Sequence, residues 1–134
     1  MDALPTILVY DRDPLFLDAL RNFLFTAGFV SVDSTTTVRK TLARLHLTRY
    51  RYVLIELTQQ VPCERRWATV IQRHQPSAKI IFLIKAADRR LIQPGIYEHI
   101  MKEDIYSSLS DVMSQHGFSC HREKADKAGN RKGY

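Results

Sequence analysis

The chain has 134 residues, 45% of them hydrophobic and 10% aromatic, which suits one globular domain with a real core. Its longest apolar run covers only residues 80–84, far short of the roughly 20 needed to span a bilayer, and residues 1–5 lack both a basic start and an apolar stretch, so neither a membrane span nor a secretory signal is expected. The formal charge of +6 favours acidic partners, although five Lys/Arg against two acids from Gly117 onward place half of it in the tail; two distant cysteines, Cys63 and Cys120, fit a reduced cytoplasmic protein.

Residues 6–10 form a β-rich run that stops at Asp11, Arg12, Asp13 and Pro14. A buried strand followed by a helix start explains this order, with Asp13 as N-cap and Pro14 in the first helical position. Apolar residues then recur at Leu15, Phe16, Ala19, Leu20, Phe23, Leu24 and Ala27, and Gly28 ends the helix. Residues 29–32 read as a second strand. Residues 33–37 offer several caps for a second helix whose apolar face is Val38, Leu42 and Leu45. Residues 52–57 form a third strand that is apolar almost throughout except for Glu56. After a polar loop containing Pro62, a third helix runs through Trp67, Val70 and Ile71 and stops near Pro76. Trp67 is read as a core or edge residue. Residues 79–84 form the fourth strand, residues 86–92 a short fourth helix before Pro94 and Gly95, and residues 96–101 a weaker fifth strand. Ile105, Leu109, Val112 and Met113 mark the last helix, which Gly117 ends.

Near-continuous apolar strands alternating with amphipathic helices predict an α/β fold: a five-stranded parallel sheet, doubly wound as (βα)5 in the flavodoxin-like manner. The domain is expected over residues 1–117. Residues 118–134 are basic, polar and aperiodic, which predicts a disordered tail. Such sheets bind ligands at the carboxyl ends of their strands, which directs attention to Asp11, Arg12, Asp13, Glu56, Ile84 and Lys102.

In the order and spacing of residues 7–11, 53–57, 80–83 and 100–102, the chain resembles the receiver domain of bacterial two-component response regulators, over about residues 6–116. The resemblance implies a regulatory phosphorelay module rather than an enzyme. Its chemistry needs an aspartate at the end of the third strand to attack phosphorus, and two acids after the first strand to hold Mg²⁺. It also needs a Ser or Thr after the fourth strand and a Lys after the fifth to bind phosphoryl oxygens. Asp11 and Lys102 match. Arg12 stands in place of the second acid, Glu56 in place of the nucleophile and Ile84 in place of the hydroxyl residue, while Glu103 follows Lys102 where the family has proline. His99 takes the place of the switch aromatic.

These departures imply a degenerate pseudo-receiver with no catalytic residue and no cofactor, in which Mg²⁺ is absent or weakly held. Lys102 is expected within reach of Glu56 or Asp11, with Arg12 nearby, so that protein cations take the metal's place. The resemblance places the signalling surface on the fourth helix, fifth strand and fifth helix. Arg89, Arg90, Tyr97, Glu103 and Tyr106 would there contact a partner protein or a second copy of the chain.

Three other readings stand beside this one. Glu56 could mimic a phosphorylated aspartate, but one carboxylate does not reproduce a dianion, and pairing with Lys102 or Arg12 explains it more simply. Alternatively, Asp13 or Glu56 could support phosphorylation after all. Arg39, Lys40, Arg44, Arg49 and Arg51, with Tyr50 and Tyr52, could form a nucleic-acid patch, for which a charged outer helix face is the plainer explanation. His116, Cys120 and His121 have no CxxC pair among them, and no metal site is assigned to them.

Overall fold

The computed structural model describes residues 6–29, 31–58, 64–91 and 97–115. Five strands, β1 (Thr6–Tyr10), β2 (Ser31–Thr35), β3 (Tyr52–Glu56), β4 (Lys79–Ile84) and β5 (Glu98–Met101), pair in parallel in the order β2-β1-β3-β4-β5. The expected flavodoxin-like sheet is present. Four α-helices accompany it among the described residues: α1 (Pro14–Thr26), α2 (Val38–Leu47), α3 (Glu64–His74) and α4 (Ile105–Gln115). None is long and apolar enough to cross a membrane. The tail, the loop at 59–63, Pro94, Gly95, and the trio His116, Cys120 and His121 lie outside the described residues.

Both faces of the sheet are covered. Ile7, Val9, Leu54, Ile81 and Leu83 pack against Leu17, Leu20 and Leu24 of α1 and against Ile105, Leu109 and Val112 of α4. Alternate strand residues, Leu8, Val53, Ile55, Ile80 and Phe82, pack with Leu45 of α2 and with Trp67, Ala68 and Ile71 of α3. The period-2 alternation of strand side chains divides the core into these two halves.

The helix ends follow the chemistry read from the sequence. Asp13 accepts the Leu15 N–H at 3.0 Å, and Pro14 opens α1. At the other end Gly28 adopts φ 110°, with its N–H on the Phe25 carbonyl and the Phe29 N–H on the Leu24 carbonyl. This six-to-one and five-to-two pair of bonds turns the chain sharply and directs Phe29 into the core.

That closure corrects the second strand. It spans residues 31–35, not 29–32, because Phe29 serves as the hydrophobic plug of the helix-ending turn. Two helix faces also shift. Leu15 is 79% exposed while Leu17 is buried, and Leu42 faces solvent while Thr41 is buried. Thr41 tolerates burial because its hydroxyl bonds the Thr37 carbonyl and meets the Thr35 hydroxyl at 2.6 Å. The expected fourth helix is instead a 3₁₀ segment, Ala86–Leu91, kinked at Asp88, and β5 begins at Glu98.

Tyr50 anchors the turn into β3. Burial, then its bond to Asp33 at 2.6 Å, pushes its pKa up to about 12. A phenol held protonated in the folded state contributes stability below its unfolded value, near 10, and loses it as the pH climbs through 12. Burial pushes the Tyr10 and Tyr52 phenols up as well. Stability is therefore expected to fall as the solution is made strongly alkaline. Tyr50→Phe should remove up to about 3 kcal/mol of that fall, read from urea midpoints across the alkaline range. An unchanged alkaline slope in the variant would contradict this.

Candidate functional site

The order of strands reverses between β1 and β3, so the crevice of the sheet opens at their carboxyl ends. Asp11, which follows β1, is fully buried, and Glu56, which ends β3, is 4% exposed. Lys102, just after β5, reaches across from the sheet edge. Its Nζ lies 2.7 Å from Asp11 Oδ2 and 3.2 Å from Glu56 Oε2, and 4.3 Å from the Phe16 ring centroid. The other oxygens are also engaged. Glu56 Oε1 accepts the Arg12 backbone N–H at 2.9 Å, with the Arg12 Nε at 3.7 Å, and Asp11 Oδ1 accepts the Asp13 N–H at 2.9 Å.

The electrostatics follow from this closure. Burial pushes the Asp11 carboxyl up; the Lys102 ammonium and the Asp13 N–H pull it down without cancelling that push, and Glu56 adds to it. Burial also works against the Lys102 ammonium, but Asp11 and Glu56 outweigh it and raise its pKa above the usual lysine value. An ammonium is the species this cleft favours.

The remaining described residues singled out from the sequence have these places. Asp13 is exposed, and its carboxylate caps α1 rather than entering the cleft. Ile84 is fully buried at the end of β4, paired with Met101. Arg89 and Arg90 are exposed on the 3₁₀ segment. Tyr97 is half-buried with its ring edge-on to Phe82 at 5.6 Å. Glu103 is turned back, its carboxylate accepting the Ala86 N–H at 3.1 Å and 3.2 Å. Tyr106 is 42% exposed but leans on Phe23 of α1, the rings 4.8 Å apart. The surface around β5 is therefore flanked by a short 3₁₀ turn and α4, not by two full helices. Tyr50 and Tyr52 are buried and cannot serve an aromatic binding patch.

One buried contact beside the cleft has no local signal in the sequence. His99 on β5 points inward and bonds through Nε2 to Glu64, the buried first residue of α3, while its ring lies against Phe82. Glu64 is 35 positions away, and only a buried glutamate at a helix start could have drawn attention to it.

No family model matches the sequence, and no curated protein matches it. Solved structures do. A response regulator receiver protein from Sinorhizobium medicae superposes with a TM-score of 0.68 at 21% identity, covering 84% of this chain and 93% of that one. The signal receiver domain of an HD domain-containing protein from Pseudomonas fluorescens gives 0.66 at 18%, covering 86% and 99%. A response regulator protein from Burkholderia pseudomallei, solved with a phosphorylated aspartic acid and a calcium ion, gives 0.64 at 17%, covering 84% and 72%. With its strand order and its crevice between β1 and β3, the chain has the fold of response regulator receiver domains.

Proposed function

We propose that the chain is a receiver-like regulatory module of two-component signalling that does not take up a phosphoryl group and works by binding another protein. The observation that carries this reading is the Lys102 ammonium lying between Asp11 and Glu56 at 2.7 and 3.2 Å. It occupies the carboxylate oxygens on which a divalent cation would depend. Arg12 adds a second positive charge beside Glu56, and Asp13 is engaged as a helix cap. The cleft does not fit Mg²⁺, and no phosphoryl chemistry is routed through it. Asp13 and Glu56 are in our reading structural, and the protein is a cytoplasmic non-enzyme.

The same reading makes the output constitutive. Ile84 offers no hydroxyl to draw toward a phosphate, and His99 is held inward by Glu64. The surface around β5, with Arg89, Arg90 and Tyr106 reaching solvent, then remains in one state and contacts a partner or a second copy. Sedimentation of the full chain with and without acetyl phosphate and Mg²⁺ should give the same association state. Capture of protein partners should likewise be insensitive to the phosphodonor and weakened by Arg90→Ala or Tyr106→Ala. An association that appears only with the phosphodonor would overturn the reading.

A further inference from the structure

The two helix layers differ in charge. On the layer built from α2 and α3, residues 36–49 supply four Lys/Arg and residues 64–74 three more, all seven exposed, whereas Arg51 lies over Tyr52 of the other core half. The one acid in these stretches, Glu64, is buried against His99. At the rim, Asp33 on β2 is half-buried and accepts the Tyr50 hydroxyl. The opposite layer leans acidic, with Asp18 and Asp111 exposed on α1 and α4, and Asp13 and Asp104 exposed just before them. Local sequence marks only the α2 part of the cationic surface; the fold sets Arg65, Arg66 and Arg73 of α3 beside it.

Two features set this surface apart from an ordinary solvated helix face. Exposed helices are usually supported by opposite charges three or four residues apart, yet α2 contains no acid at all. Moreover, although Arg44 and Arg73 sit in the last turns, where the helix dipole favours cations, Arg39 and Lys40 sit in the first turn of α2, and Arg65 and Arg66 beside Glu64 in that of α3, where it disfavours them. Placement against local helix stability is accounted for by an anionic partner.

We propose that the outer surface of α2 and α3 binds the phosphate backbone of a duplex nucleic acid without reading its sequence. Arg39, Lys40, Arg65 and Arg66 mark one end of the layer, and Arg44, Arg49 and Arg73 the other. Helices of 10 and 11 residues separate the ends by about 15 Å, over which a duplex presents roughly nine phosphates. Six of the seven cations are arginine, whose planar guanidinium meets a phosphate with two parallel donors. Tyr50, Tyr52 and Trp67 are buried, so they offer no platform for unstacked bases, and a single strand is disfavoured. Leu42 and Leu47 reach solvent, but Leu45, Trp67 and Ile71 face the core, which leaves the helices without an apolar side for lipid. A surface whose exposed charges along α2 and α3 are all positive also suits a uniform polyanion better than the mixed charges of a protein partner.

Fluorescence polarisation of the full chain against short labelled DNA and RNA duplexes of unrelated sequence tests this. Binding is expected to vary little with sequence. It should weaken about 100-fold between about 50 and 200 mM salt if about four phosphates are neutralised. Arg44→Glu and Arg65→Glu, one at each end, should each weaken binding about tenfold, while Lys85→Glu, an equal charge change on an exposed loop off this layer, should change it less than about twofold. DNA binding without RNA binding, or the reverse, identifies the duplex and supports the proposal. Equal losses in all three variants would reduce the effect to net charge and overturn it. So would tighter binding to polyglutamate or to vesicles containing phosphatidylserine than to either duplex.

Discussion

Replacing Lys102 by methionine is expected to lower the unfolding free energy by about 3–5 kcal/mol near neutral pH, because the change leaves two buried carboxylates without their cation. Asp11 is fully buried and Glu56 nearly so, and Lys102 is the group that lies within 3.2 Å of both. Methionine keeps most of the apolar stem and removes only the charged end that lies over Phe16, so the loss reports charge more than volume. The sign of the pH dependence follows from burial. Asp11 is already pushed up in the folded protein, and without the ammonium it is pushed further. A folded-state carboxyl raised above its unfolded value gains stability as the pH falls through it, so Lys102→Met should recover part of its loss on mild acidification. Urea midpoints at neutral and mildly acidic pH measure both effects. A loss below about 1 kcal/mol, of the size found for exposed ion pairs, would show that the carboxylates do not depend on Lys102.

Gln75→Leu is expected to cost about 3 kcal/mol and to loosen the layer of α2 and α3. The buried Gln75 amide accepts the Tyr50 N–H at 3.0 Å and donates to the Leu45 carbonyl at 2.8 Å and the Thr48 carbonyl at 2.6 Å. One side chain thus satisfies three backbone groups where α2 ends and the chain turns toward β3. Leucine is close in size but pairs with none of them, and each buried group left without a partner costs about 1–3 kcal/mol. Amide exchange should accelerate first in residues 45–50. Uniform acceleration across the whole sheet would place the loss in global packing rather than in this clasp.

Much of this architecture was legible in the sequence because it rests on local rules. Apolar runs marked β1, β3 and β4, Asp13 and Pro14 announced the start of α1, and Gly28 announced its end. The cleft residues Asp11, Arg12, Glu56 and Lys102 were found from their positions at strand ends. What escaped notice depends on contacts between residues far apart in the chain. Gln75 reads as a polar residue after a helix, and only the fold brings it to Leu45 and Thr48. Glu64 and His99 meet because α3 packs against β4, the neighbour of β5, which no local spacing encodes. Apolar periodicity points to Leu42 rather than Thr41 because it overlooks a hydroxyl with a partner inside. The start of β2 was misplaced because Phe29, a good strand residue, was needed to close the turn after α1.

On the proposed function, Lys102 and Arg12 fill the cleft where receiver chemistry would need a metal and a phosphoryl group. Intact-mass measurement of the full chain after incubation with acetyl phosphate and Mg²⁺ tests it most directly. The mass is expected to stay unmodified over a period in which a phosphorylatable receiver domain run alongside is modified. Gain of one phosphoryl group, with the adduct mapped to Glu56 or Asp13, would contradict it.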